Sequence, residues 1–475
     1  MYRINRVLRL LLPAALLAAA VSPVAAVPVL AGTMAPAGGG TTKEYTGTFH
    51  DGATYLIQVP AKWNGTLFLY SHGYVVPGSS NPATDVGDSI TGGWMLSHGY
   101  ALAGSSYATT GWAVQQALPD QIHTLNVFDK VAGTPTQTIA WGHSLGGMIT
   151  AGLVQRYPTR FNAALPMCGV VAGGVATWNT ALDSEFAFQQ LIDPSVQVVN
   201  ITNPGANVVS AYEAAVAAQK TPAGRARIAL ASALADTPGW FTPLSKEPAA
   251  TDYKAQEANQ YLWDTQVDFP FAFDLRAELE ARAGGNPSWN TGVNYFKDLL
   301  KSADLKEVLA MYHAAGLSLD QDLATLAAAP RISADPSALS YLKKNIDYDG
   351  NLSVPVLTMH TVGDGLVVPE NEQAYSAVVA KAGDSSMLRQ IFVSRAGHCA
   401  FTPAETITAA KVLLRRLATG QWSAAPHSPS VLNAQAKALG PTYNVYPNGS
   451  GTEVATPPAF LHYTPAPYLR PHDKE

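Results

Sequence analysis

Three short stretches, far apart along the chain, carry residue types that together could attack an acyl carbon. The first is Gly142-His143-Ser144-Leu145-Gly146, which follows the apolar run Thr138-Ile139-Ala140-Trp141 and leads into a helical pattern from Met148. A serine hydroxyl is a weak nucleophile until a base takes its proton, and a strand-turn-helix elbow of the form G-x-S-x-G presents that hydroxyl at the tip of a tight turn. Gly142 and Gly146 leave room for neighbouring backbone, and a helix N-terminus behind Ser144 favours developing negative charge. The second stretch is Thr361-Val362-Gly363-Asp364 and the third is Arg395-Ala396-Gly397-His398. Each follows a strand-like run, so Asp364 and His398 are expected in loops at the same end of one sheet. The order serine, acid, histidine is the one this elbow requires. Ser144 is therefore expected as nucleophile, His398 as base, and Asp364 as the acid that orients the imidazole.

An oxyanion formed at the acyl carbon needs two fixed backbone donors. The N–H of Leu145 supplies one, and the N–H of Tyr74 is expected as the other, from the His72-Gly73-Tyr74 loop after the run Thr66 to Tyr70; the alternative is an ordinary strand-ending loop. His143 is expected to pack or hydrogen-bond behind the serine. His360 either supports Asp364 or is a satisfied core histidine. Asp236, Asp268 and Asp274 are rival acids, but none follows a strand. Cys168 and Cys399 are the only cysteines. In an exported, oxidised chain they would bridge and pin the histidine loop; otherwise they are two buried thiols. Two cysteines leave no room for a disulfide framework or a multi-cysteine zinc site.

Around these stretches, helical and strand signals alternate as expected of an α/β fold with a mostly parallel central sheet. Lys and Arg total 30 against 35 Asp and Glu, with no basic runs, which argues against nucleic acid or an anionic membrane as partner. Residues 1–26 read as a signal peptide, with Arg3, Arg6 and Arg9 before an apolar run and small residues at Val24-Ala25-Ala26, so a secreted, extracellular protein without stable membrane association is expected. Residues 27–43 read as a leader, 44–175 and 346–420 as the α/β core, 176–345 as a helical cap insertion, and 421–475 as an extended C-terminal tail. The insertion is rich in aromatics, including Phe269, Phe271 and Phe273 at alternating positions, with Trp263 and Trp289 nearby. These rings either form the insertion's own core or line an apolar pocket over Ser144.

The elbow, the His72-Gly73 loop, Asp364 and His398 in this order resemble the α/β-hydrolase superfamily over about residues 45 to 420. More narrowly, the chain is similar to secreted bacterial serine esterases, among them feruloyl esterases. The His398-Cys399 pair resembles half of a motif in tannases and fungal-type feruloyl esterases, whose serine is also preceded by cysteine; here His143 stands there, and no acidic calcium loop is found. The resemblance implies a serine carboxylic ester hydrolase working through an acyl-enzyme, with a small-molecule ester as partner and no metal or organic cofactor. Neutral aromatic or medium-size acyl esters are the expected substrates. An exported, aminopeptidase-like serine peptidase or a lipase on the same fold are the alternatives.

Overall fold

A computed structural model describes residues 41–448 and 451–470, so the expected signal peptide and most of the leader lie outside the described residues. Nine strands form one sheet: β1 (Lys43–Thr48), β2 (Thr54–Val59), β3 (Thr66–Ser71), β4 (Ala101–Ser105), β5 (Gln137–His143), β6 (Ala163–Met167), β7 (Val356–Gly363), β8 (Leu388–Ala396) and β11 (Phe460–Leu461), with β9 (Val445–Pro447) and β10 (Glu453–Ala455) pairing separately. Their order is β1-β2-β4-β3-β5-β6-β7-β8-β11, parallel from β4 through β8 and antiparallel at both margins. Every residue of β3, Thr-Leu-Phe-Leu-Tyr-Ser, is buried, as a strand covered on both faces must be. Leu67, Leu69 and Ala140 point into one apolar layer with Ala117, Phe128, Ile149 and Leu153 of the helices Val114–Ala132 and Leu145–Arg156. Phe68, Tyr70, Ile139 and Trp141 point the other way, against Met95, Ile407 and Leu413 of the helices Ser89–Ser97 and Pro403–Thr419. The two-residue alternation of the central strands thus holds helices on both faces, and each fully buried Leu or Phe stabilises that arrangement by roughly 1.5–3 kcal/mol. This is the α/β-hydrolase fold expected from the sequence.

Between β6 and β7 the chain is helical, without a strand among the described residues, and this stretch has an apolar cluster of its own that includes Leu182, Phe186, Leu230, Phe273 and Tyr312. β6 and β7 are parallel neighbours, with Met167 opposite Met359, so the segment leaves and re-enters at adjacent strands. The tail departs from expectation. In place of an extended run, residues after Gln421 form the helix Pro429–Lys437, the β9–β10 hairpin and β11, whose Phe460 pairs with Val393 of β8. The physical reason lies in sparse apolar anchors within a Pro- and Ser-rich stretch: Leu432, Ala436 and Phe460 fill the second layer, and β11 covers a strand edge that would otherwise expose unpaired amides. Further on, Arg470 donates to Asp183 Oδ2 at 2.5 Å and to the carbonyl of Trp289 at 3.0 Å.

Several carboxyls are buried in this fold. Burial raises Asp85 and Asp264 to about 7, Glu185 to about 8 even with Arg276 at 3.6 Å, and Glu307 to about 9. A carboxyl with a raised folded pKa holds its proton more tightly in the native state, so its contribution is complete below about pH 4 and is lost as pH climbs through the raised values. His143 acts in the opposite sense: burial, then the nearby His398, lower it to about 4, so its contribution is lost as pH falls from about 6.5 towards 4. Four carboxyls outweigh one histidine. The thermal midpoint is expected to fall by several degrees between about pH 5 and about pH 9 in differential scanning fluorimetry. A midpoint that rose across this interval would show that these carboxyls are ionised in the folded protein.

Candidate active site

Ser144 stands between β5 and the helix Leu145–Arg156 with φ 60° and ψ −127°, a left-handed conformation that a serine adopts only under constraint. The constraint is steric and hydrogen-bonded. A Cβ on Gly146 would run into the carbonyl oxygen of Ser71, and the Ser144 amide donates to the carbonyl of Met167 at 3.0 Å. Asp364 follows β7 and is fully buried; its Oδ1 accepts from the amide of Val367 at 3.0 Å. His398 follows β8, and its Nδ1 lies 2.8 Å from Asp364 Oδ2. Because an ionised carboxylate only accepts, Nδ1 carries the proton and Nε2 is left with its lone pair. Nε2 sits 3.4 Å from Cys399 Sγ and makes no hydrogen bond to Ser144 Oγ among the described residues. All three groups leave the carboxyl ends of parallel strands in one sheet, and catalytic hydrogen bonds often tighten only with substrate bound.

β6 lies between the serine and acid strands, and Cys168 follows it. Cys168 and Cys399 form a disulfide that spans 231 residues of sequence and ties the end of β6 to the histidine loop. Leu145 is the first residue of its helix, so its N–H has no partner within the helix. Gly73 comes so close that a Cβ there would stand 3.3 Å from Ser144 Cβ, which brings the His72-Gly73-Tyr74 loop beside the serine. His72 fixes that loop: its ring stacks on Tyr107 at 3.9 Å, Nδ1 is 2.7 Å from the carbonyl of Gly73, and Nε2 is 3.1 Å from that of Ser106.

The other histidines that the sequence singles out lie behind these groups. His143 Nδ1 is 3.1 Å from the Tyr70 hydroxyl, on the sheet side of the serine. His360 is wholly buried, with Nδ1 3.0 Å from Glu372 Oε1, Nε2 2.7 Å from the carbonyl of Val367, and Asp364 Oδ2 3.7 Å away. Burial alone would lower this histidine, but the hydrogen bond and charge of Glu372, with Asp364, more than offset it and raise its pKa. Both of its nitrogens face groups that only accept, an arrangement that favours the doubly protonated ring behind Asp364.

A cavity of about 140 Å³ opens over Ser144 and Leu145. Its rings are Tyr74, Trp112, Trp178, Phe188, Phe269, Phe271, Phe273 and Tyr468. Phe269, Phe271 and Phe273 line it as the pocket reading expects, while Trp263 donates to the carbonyl of Trp240 and Trp289 packs in the main core. Sequence reasoning passed over Trp112, Tyr468 and Glu185; Trp178, Asp264 and Asp268 also line the cavity, and the sequence reading weighs Asp268 as a rival acid. Asp264 accepts from the Ser232 hydroxyl at 2.9 Å, and burial, then Asp264 and Asp364, push Asp268 well above the carboxylate range. Two π-helical stretches, Asp264–Asp268 and Phe271–Leu275, set these side chains. The available signal was Pro270: it donates no hydrogen bond, and a proline between aromatics in a helical pattern marks a break in the ladder. Asp236 and Asp274 are absent from the lining, and neither contacts His398.

No protein-family model matches the chain. Among curated proteins it is similar to an o-phthalyl amidase of Xanthobacter agilis, 29% identical over 428 residues that cover 83% of this chain and 91% of that one. Among solved structures, the rice cell wall degrading esterase LipA of Xanthomonas oryzae overlaps 79% of this chain and 89% of its own, at 13% identity and a TM-score of 0.36. An esterase of Aspergillus oryzae overlaps 80% and 79%, at 12% identity and 0.39. The acylaminoacyl peptidase of Pyrococcus horikoshii overlaps 75% and 37%, at 10% identity and 0.34. The fold itself stands on this chain's own strand order and elbow.

Proposed function

We propose that this chain, which has the α/β-hydrolase fold with a serine at its elbow, cleaves carboxylic esters and amides of aromatic acids through a Ser144–His398–Asp364 triad. One observation carries this reading: the constrained serine opens into an aromatic cavity of about 140 Å³, close to the volume that holds a single benzene ring. His398 Nε2 takes the Ser144 proton as Oγ attacks the acyl carbon. The amides of Leu145 and Tyr74 hold the oxyanion, and Asp364 stabilises the imidazolium. Collapse of the intermediate expels the alcohol or amine, which receives the proton from His398. Water, deprotonated by the same histidine, then releases the acid and restores Ser144. The similarity to an o-phthalyl amidase favours counting amides among the substrates. Export to an oxidising compartment is part of the same reading: it suits the disulfide, and no helix among the described residues is long and apolar enough to cross a membrane.

The lining carboxyls amend the expectation that only neutral acyl groups fit. Burial raises Glu185 to about 8 and pushes Asp268 well above its ordinary value, which favours the protonated forms that can donate to a polar or anionic substituent on the acyl ring. A panel of N-aryl phthalamates, aryl benzoates, hydroxycinnamate methyl esters, aminoacyl anilides and triglycerides tests this. Aromatic acyl substrates should lead. Asp268→Ala or Glu185→Ala should lower kcat/KM for the ring-carboxylated members about 10- to 100-fold relative to the unsubstituted ones, the worth of one hydrogen bond to a charged group, while Asp268→Asn and Glu185→Gln, which keep an N–H donor, should lose less. Aminoacyl anilides in first place would move the reading to a peptidase, and triglycerides in first place to a lipase.

A further inference from the structure

Away from the cavity, three potential metal ligands converge where the β1–β2 turn meets the helix Val114–Ala132. They are Asp51 in the turn, Asp120 in the helix, and His123 one helical turn later; one ligand atom from each lies within 4.8 Å of the others. Asp120 is wholly buried. Its Oδ2 accepts from the amide of Ala108 at 2.9 Å, but Oδ1, which faces His123 Nδ1 at 4.0 Å, is buried without a hydrogen-bond partner. A buried carboxylate oxygen without a hydrogen-bond donor is costly, and no Lys or Arg pairs with Asp51 or Asp120 among the described residues. The other two ligands lie on the same side of Asp120. Asp51 Oδ1 accepts from the amide of Ala53 at 3.1 Å, and the Phe49 ring packs edge-on against His123 at 5.6 Å.

We propose that Asp51, Asp120 and His123 bind one divalent transition-metal ion of the zinc type. Two carboxylates and an imidazole form a mixed oxygen and nitrogen set that suits zinc better than calcium, which prefers oxygen throughout. A tetrahedral ion with bonds of about 2.1 Å holds its ligand atoms roughly 3.4 Å apart. The exposed side chains of Asp51 and His123 close the remaining gap by rotation, and water takes the fourth position. The sequence reading expects no metal because these ligands come from two elements whose contact is not legible in either. The ion acts on structure and takes no part in the reaction. Asp120 holds the amide of Ala108; Tyr107, the preceding residue, donates its hydroxyl to the carbonyl of His72 at 3.1 Å and stacks on that ring. The ion therefore braces the loop beside Ser144 from behind.

Calorimetric titration of chelator-treated enzyme with ZnCl₂ tests the proposal. One zinc per chain is expected, with proton release near pH 7 and a rise of several degrees in thermal midpoint. Asp51→Asn and His123→Ala, both at exposed positions, should each weaken zinc at least tenfold and remove the rise in midpoint, while catalysis in zinc-free buffer stays that of the zinc-free parent. CaCl₂ should bind far more weakly. Absence of zinc uptake, or uptake that both variants retain in full, overturns the site; calcium binding as tightly as zinc overturns the choice of ion.

Discussion

Ser144→Ala should lower turnover of an aryl ester by roughly 10⁴- to 10⁶-fold, and His398→Ala by a similar amount, while the protein stays folded. The two losses should not add: removing either partner already removes the activated nucleophile, so the double variant should resemble each single one. Asp364→Asn should be severe but milder than either, because the acid orients the imidazole and transfers no proton. Labelling by a fluorophosphonate reports on the serine directly. It should be complete in the parent, absent in Ser144→Ala, and much slowed in His398→Ala. Near-normal hydrolysis by folded Ser144→Ala would overturn the proposed mechanism outright.

Loss of the Cys168–Cys399 bond should be the largest single blow to stability. A cross-link spanning 231 residues removes about 5 kcal/mol of unfolded-chain entropy in the simplest model, and measured values run somewhat lower. Cys168→Ala paired with Cys399→Ala should lower the thermal midpoint by about 3–6 °C. Activity should fall as well, even at temperatures where the variant is folded, because Cys399 adjoins His398 and its sulfur lies 3.4 Å from Nε2. Titration of thiols in the unreduced, denatured parent is the direct check, and close to none should react. A double variant with the midpoint and kcat of the parent would mean that the histidine loop is held without the bridge.

What could be read from the sequence was what local chemistry encodes. The elbow was legible because a buried strand, two glycines and a helix start adjoin one another around Ser144. Asp364 and His398 could be placed because each follows a β-branched, apolar run by a few residues, so the end of the sheet they occupy follows from strand direction. Less local features were not legible. Glu185, Asp264 and Asp268 enter the cavity through helices whose tertiary packing and π-turns leave no periodic mark, and a carboxylate in a helical pattern ordinarily means a solvated face. The role of His360 depends on Glu372, which reaches it from the next helix. The tail was misread because β11 is two residues long and its pairing partner lies more than sixty residues back.

That last strand also bears on the order in which the molecule can be assembled. β8 stands at the margin of the parallel sheet until Phe460 and Leu461 arrive, and Arg470 reaches Asp183 from beyond them. A chain emerging from the ribosome therefore carries an open sheet edge, and an Asp183 bonded to the Tyr295 hydroxyl but without its guanidinium partner, until residue 470 has been made. Folding from the N-terminus can build the elbow early, but it cannot finish the sheet, so a holding factor would find its substrate in the interval between synthesis of β8 and release of the tail.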